Sequence, residues 1–272
     1  MSQPESNGSE RRRWNDPAWT SAWLRRQQVT EAATDQLLAH LEPGPGERVL
    51  DVGCGSGGLA IQVAELVGPG GTVLGADISE RLVELARDRA GHAGCENATF
   101  TLADAQVDAL SSEPFDAVAS QFGVMFFDEP TVAFANLARH VRPGGRLAFS
   151  CWQHVADNPW FTGAVLAPFV PSPPEPAPGK SRTGPFSLAD PERVGALLAA
   201  AGWSQVERSA YDLTVTVPSQ AIVDDHELDG LGLSGADLDE AAEALGRHVA
   251  RFDQGDGTFV VELAFQVFTA RV

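Results

Sequence analysis

From Arg48 onward, short apolar runs alternate with longer stretches in which apolar residues recur at helical spacing. Arg48–Val52, Thr72–Ala76, Thr99–Leu102, Phe115–Ser120 and Arg146–Trp152 read as strands, and Leu59–Val67, Arg81–Ala90 and Thr131–Val141 as helices. Strands that alternate with helices of this length need crossover connections, which predicts a largely parallel sheet with helices on both faces. The punctuation agrees: Gly-Pro-Gly-Gly at 68–71 and Arg-Pro-Gly-Gly at 142–145 each stop a helix and open a strand.

Ahead of this core, Trp19, Trp23, Ala33, Leu37 and Leu41 fall at roughly helical spacing, and the breaker run Glu-Pro-Gly-Pro-Gly at 42–46 ends the pattern. Residues 1–16 are polar and basic and are expected to form a flexible tail, followed by a single cap helix within 17–43. After Trp152 the alternation stops, and the prolines between Pro168 and Pro178 exclude regular helix or central strand there. Asp190-Pro191 opens a helix to Ala201-Gly202, and Gln205–Val217 alternates as a strand. Ser234-x-x-Asp237 has capping-box spacing ahead of a helix with the apolar face Leu238, Ala241, Ala242, Leu245, Val249 and Phe252. Thr258–Val272 is the last strand. Two long β runs without an ordinary crossover helix between them imply one antiparallel strand at or near the sheet edge. Residues 44–272 therefore read as one domain with lid insertions at about 153–189 and 218–257.

Composition narrows the partners. The 272 residues carry 19 Lys+Arg against 37 Asp+Glu, and a net charge of −18 repels nucleic-acid phosphates and anionic lipid. No apolar stretch is long enough for a membrane span, and residues 1–13 contain no signal-peptide core, so a cytoplasmic protein is expected. Cys54, Cys95 and Cys151 lack C-x-x-C spacing, which predicts free thiols and no structural metal. The expected partner is a small molecule, with a homodimer left open.

The strongest local signal is Arg48-Val-Leu-Asp-Val-Gly-Cys-Gly-Ser-Gly-Gly, a buried strand that empties into glycines and then a helix. Gly53, Gly55 and Gly57 let the backbone turn tightly and approach a ligand, and helix N-terminal amides then face it. The loop also satisfies the G-x-G-x-x-G dinucleotide pattern. Against a nicotinamide dehydrogenase stand Asp51, where a pyrophosphate would meet a carboxylate, and the absence of a Tyr-x-x-x-Lys pair, Tyr211 being the only tyrosine. A carboxylate at that point suits a ligand carrying an ammonium group. Asp77 ends the second strand in Gly-Ala-Asp-Ile78-Ser, at the spacing of an acid that binds both ribose hydroxyls. Asp104 ends the third strand, where it can reach an adenine amine while the Ala105 amide meets a ring nitrogen.

These motifs, in order with Leu-Ala-Arg-His-Val-Arg-Pro-Gly-Gly-Arg-Leu at 137–147, resemble the class I S-adenosylmethionine-dependent methyltransferases, particularly the small-molecule group that includes the ubiquinone and menaquinone C-methyltransferases. The resemblance is close over about 44–152 and loose over 186–216 and 258–272. It implies a Rossmann-like seven-stranded α/β sheet with one antiparallel strand and S-adenosylmethionine as cofactor. The implied cofactor contacts are Asp51, Gly53, Cys54, Gly55, Gly57, Asp77, Ile78, Asp104, Ala105 and Gln121, with Gln27 beyond Trp23 as a further one. Cys54 reads as a small packing residue, since no second thiol lies near it in sequence.

The expected reaction is methyl transfer to a small, partly apolar acceptor at oxygen, nitrogen or carbon, in secondary or quinone-type metabolism. The rival is a protein that binds the cofactor without transferring its methyl group. Phe122, Phe126, Trp152 and Trp160 are candidate acceptor walls. His154, just past the fifth strand, and His248, on the late helix, are candidate general bases.

Overall fold

The structure is a computed structural model that describes residues 6–172, 175, 176, 180–223, 228 and 231–272. Part of the expected proline-rich excursion, part of the acidic stretch before Asp239, and residues 1–5 of the expected tail lie outside the described residues.

Three helices, α1 (Gly8–Trp14), α2 (Pro17–Glu31) and α3 (Thr34–Leu41), precede the sheet. The core then runs β1 (Arg48–Val52), α4 (Gly58–Val67), β2 (Thr72–Asp77), α5 (Glu80–His92), β3 (Ala98–Leu102), β4 (Phe115–Gln121), α6 (Pro130–Arg139) and β5 (Val141–Trp152). It closes with α7 (Thr162–Leu166), α8 (Pro191–Ala200), β6 (Ser204–Pro218), α9 (Ala236–Val249) and β7 (Thr258–Arg271). Strand order is β3-β2-β1-β4-β5-β7-β6. β7 pairs antiparallel with both β5 and β6, and the other pairings are parallel. Among the described residues, no helix is long and apolar enough to cross a membrane.

β1 is central because its residues 49–52 are buried without interruption, the pattern of a strand covered on both faces. Its Leu50 lies in register with Leu74 of β2 and Val118 of β4. Further along the sheet, Phe149 of β5 stacks on Phe268 of β7 with centroids 5.4 Å apart, and Phe134 of α6 packs on the same ring. α3 and α4 lie on the sheet through fully buried Leu37, Leu41, Ala60 and Val63.

Four sequence expectations need correction. Where a tail is expected over 1–16, residues 8–14 are helical, with Glu10 and Trp14 buried. The single leading helix is two: α2 buries only Thr20, Gln27 and Val29, while α3 buries leucines, so the chain bends at 32–33 to lay α3 on the sheet. The 142–145 turn is absorbed into β5 as an irregularity, where the pairing with β4 jumps from Phe115↔Val141 to Ala117↔Arg146. Gly235, not Ser234, caps α9, without a side-chain bond, and Ala242 of its expected apolar face is exposed. By contrast, Asp190 caps α8 as its position next to Pro191 predicts, accepting from the amides of Glu192 and Arg193.

Candidate functional site

The carboxyl ends of β1 to β4 deliver Gly53, Asp77, Asp104 and Phe122 to one cleft of about 740 Å³, the edge at which parallel α/β sheets bind ligands. A second lobe of about 420 Å³ continues past Gly53, Gly55 and Gln121 to Asp51, Cys54 and Gln27. Among the described residues, no Lys, Arg or His lines either lobe.

The glycine loop fits tightly against its surroundings. Gly53 has φ +65°, and a Cβ on it would lie 2.8 Å from the Gly123 Cα; Gly55 has φ +54°, and a Cβ there would lie 2.7 Å from the Trp23 ring. Gly57 corrects the expectation of a cofactor contact. It is the N-cap of α4, faces Ala86 and Phe100, and lines neither lobe.

Asp51 is buried, and among the described residues neither of its carboxylate oxygens has a well-formed hydrogen bond, the Ala60 amide only weakly opposing the rise in its pKa. Burial, reinforced by the charge of Asp77, pushes its pKa up to about 8. A buried carboxylate in that state is relieved by a cationic ligand group, and an ammonium is the chemistry that fits. Cys54, in the same lobe, is held protonated by burial and by the charges of Asp77 and Asp51, which removes it as a nucleophile.

Asp77 Oδ2 accepts from the Gly55 amide and Oδ1 from the Ser79 amide, both at 2.9 Å. These bonds fix its plane at the lip of β2, while burial raises its pKa. Each oxygen keeps accepting capacity for a vicinal diol. Ile78 and Ala105 line the same lobe. Asp104 Oδ1 accepts from Asn7 Nδ2 at 2.9 Å and from the Gln106 amide at 3.0 Å, while its buried Oδ2 has no partner among the described residues. That orphaned oxygen suits an exocyclic amine.

The segment expected to be a tail roofs this end of the cleft. Asn7 also accepts from the Asp128 amide, Gln106 bonds Ser6 and Asp128, and the Trp14 carbonyl accepts from Ser79 Oγ. Asn7, Glu10, Thr30 and Gly123 line the cleft and were not singled out from the sequence. Asn7-x-x-Glu10 has capping-box spacing, a signal that the segment would be ordered. Gln121, which lines both lobes, is held by the Thr30 carbonyl and Thr34 Oγ1. In the second lobe, Gln27 Oε1 accepts from Ser56 Oγ at 2.8 Å.

The candidate walls divide. Phe122 and Phe126 line the cleft; Trp152 and Trp160 do not, and stand behind it. Phe122 adopts φ +58°, rare and strained for an aromatic residue, and stacks on Trp152 at 4.2 Å. Trp160 packs edge-on against Trp152. Neither candidate base reaches the cleft. The exposed His154 caps the 155–157 turn, its Nδ1 accepting from the Ala156 amide, and Asn158 ties that turn to Ala264 of β7. His248 Nε2 lies 2.6 Å from the Pro159 carbonyl oxygen, and burial lowers its pKa.

Residues 49–145 match the family model of a methyltransferase domain. The chain is 34% identical over 193 residues to the nocamycin O-methyltransferase of Saccharothrix syringae, an alignment covering 68% of this chain and 69% of that one. It is 36% identical over 136 residues to the aklanonic acid methyltransferase DauC of Streptomyces sp. strain C5, covering 50% of this chain and 62% of that one. Its fold is similar to that of a SAM-dependent methyltransferase from Aquifex aeolicus, with TM-score 0.53 and 18% identity over 97% of this chain and 98% of that one.

Proposed function

Because this chain belongs to the class I S-adenosylmethionine-dependent methyltransferases and takes S-adenosylmethionine as its cofactor, we propose that it methylates a hydroxyl oxygen of a small, flat, largely apolar acceptor. One observation carries this reading: the cleft is lined by Trp14, Trp23, Phe122, Phe126 and Phe127 and, among the described residues, by no basic side chain. Such walls favour an aromatic acceptor, and apart from the backbone amides at the start of α4, which suit the cofactor's own carboxylate, they offer no counter-charge to a phosphorylated or carboxylated one. The O-methyltransferase relative supports oxygen as the atom methylated.

Bound S-adenosylmethionine supplies a methyl group already activated on a sulfonium, so little covalent help is required of the protein. In this assignment Asp51 holds the ammonium, Asp77 the ribose hydroxyls and Asp104 the adenine amine, and the negative set favours a cationic ligand. Gln121, pinned by Thr30 and Thr34, and Phe122, fixed by its stack on Trp152, line the cleft beyond the glycine loop and would orient the acceptor. Their contribution is positioning and exclusion of water. The net charge of −18 argues against a nucleic-acid partner, and β6, the terminal strand of the sheet, is where a homodimer would pair.

Methyl transfer from labelled S-adenosylmethionine to neutral hydroxylated aromatics, with their carboxylated counterparts alongside, tests the reading. Label in the neutral series is expected; label only in the carboxylated series, or none in any acceptor, refutes it. Asp77→Ala is expected to weaken S-adenosylhomocysteine binding by about 1.5 to 3 kcal/mol, the worth of hydrogen bonds to a charged acceptor. Calorimetry checks this, and unchanged affinity would reduce Asp77 to a support for the Gly55 and Ser79 amides.

A further inference from the structure

Glu10 is only 2% exposed, lines the cleft, and has a carboxylate of which one half is fully used and the other not at all. Oε1 accepts from Arg13 at 2.8 Å and from Thr183 Oγ1 at 2.7 Å. Oε2 is buried and, among the described residues, has no donor. A carboxylate oxygen removed from water and left unpaired is costly, and such groups persist where a ligand completes them. The side chain is also held in place from two directions. Arg13 lies one turn along α1, and Thr183 belongs to the segment that Lys180 ties to Asp128 and Glu129 at 2.9 and 2.8 Å.

What Oε2 meets follows by elimination, on the cofactor assignment proposed above. S-adenosylmethionine has three kinds of hydrogen-bond donor, the ammonium, the ribose diol and the adenine amine, and Asp51, Asp77 and Asp104 answer them one for one. Glu10 is the buried cleft carboxylate left over. Beside it stand the Trp14 and Phe126 rings, packed edge to face with centroids 5.2 Å apart. We propose that Glu10 Oε2 accepts a hydrogen bond from a hydroxyl group of the acceptor, making Glu10 the residue that selects hydroxylated aromatic acceptors over those whose hydroxyls are masked. The discrimination is steep because a masked acceptor leaves a buried carboxylate oxygen unpaired.

The test uses the full chain saturated with S-adenosylhomocysteine and reads tryptophan fluorescence quenching by 2,6-dihydroxyanthraquinone, a planar probe whose hydroxyls lie too far from its ring carbonyls to bond them internally, and by its di-O-methyl ether. The wild-type protein is expected to bind 2,6-dihydroxyanthraquinone about tenfold or more tighter than the ether. Glu10→Ala is expected to bring that ratio to about twofold or less while S-adenosylhomocysteine affinity stays within about twofold. Glu10→Gln, which keeps the shape and an accepting oxygen, is expected to retain part of the preference; thermal unfolding of both variants checks that they fold. The proposal is overturned if the wild type shows no preference, if Glu10→Ala leaves the preference intact, or if Glu10→Ala instead weakens S-adenosylhomocysteine about tenfold, which would place Glu10 on the cofactor. Failure of the wild type to bind S-adenosylhomocysteine would sink the cofactor reading itself, a separate result.

Discussion

Replacing Gly53 with alanine is expected to lower affinity for S-adenosylhomocysteine about a hundredfold or more. Two effects combine at this position. The φ of +65° costs an L-residue roughly 1–2 kcal/mol. The added Cβ would also sit 2.8 Å from the Gly123 Cα, and backbone cannot swing aside as a side chain can. The approach is close from both sides, since a Cβ on Gly123 would in turn lie 2.7 Å from the Val52 carbonyl oxygen and 3.0 Å from the Gly53 Cα. The exits of β1 and β4 must therefore separate, and both line the cleft. Gly68→Ala is the control: φ is +66° but nothing lies within 4 Å of the added carbon. With its ψ of −173° this backbone is one that glycine almost alone adopts, so the variant should lose about 1 to 3 kcal/mol of stability and leave cofactor affinity unchanged. Calorimetry and thermal unfolding of the two variants check this; equal affinities would mean that the Gly53–Gly123 approach does not shape the cleft.

Asp51→Asn is expected to weaken S-adenosylhomocysteine binding by about 2 to 5 kcal/mol, the usual cost of removing one member of a buried charge pair, and to stabilise the empty protein at high pH. With a pKa pushed to about 8, the folded wild type holds a proton there that the unfolded chain releases near the ordinary carboxyl value of 3.8. The folded pKa is the higher of the two. Stability from this group is therefore fully present below the unfolded value and is lost progressively as pH rises through about 8. Asparagine abolishes that loss, so the variant's unfolding temperature should gain on the wild type between pH 5 and pH 8. Cofactor binding runs the opposite way. The ammonium selects the charged carboxylate, so wild-type affinity should rise with pH up to about 8, with close to one proton released per ligand at lower pH. Titrations in two buffers of different ionisation enthalpy measure that proton. No proton release, with unchanged affinity in the variant, would remove Asp51 from the ammonium site.

The core of the site was legible in the sequence because each part of it is local. Asp51, the glycines and Asp77 sit at strand ends that hydrophobic patterning locates, and their chemistry is dictated by neighbours a few residues away. The roof was not legible. Asn7 and Glu10 reach the cleft through partners about a hundred residues or more away, Asp104, Asp128 and Thr183, which no local pattern relates to a polar N-terminal segment. Gly57 misled for a related reason: its positive φ is real, but what it faces is Phe100 across the sheet, not a ligand. His154 lies at the strand end where a ligand-side base belongs, yet Asn158 draws the following turn onto β7. Trp152 and Trp160 read as acceptor walls in the sequence but stand behind the cleft, because distinguishing a wall from its backing depends on the strained turn at Phe122, which sequence does not announce.

The central claim is that this cleft is built for an adenosine carrying an ammonium-bearing chain. Calorimetry of the wild-type protein with S-adenosylhomocysteine and, separately, with NAD tests it most directly. The account predicts binding of S-adenosylhomocysteine at one site per chain and no heat from NAD; binding of NAD with no response to S-adenosylhomocysteine would contradict it.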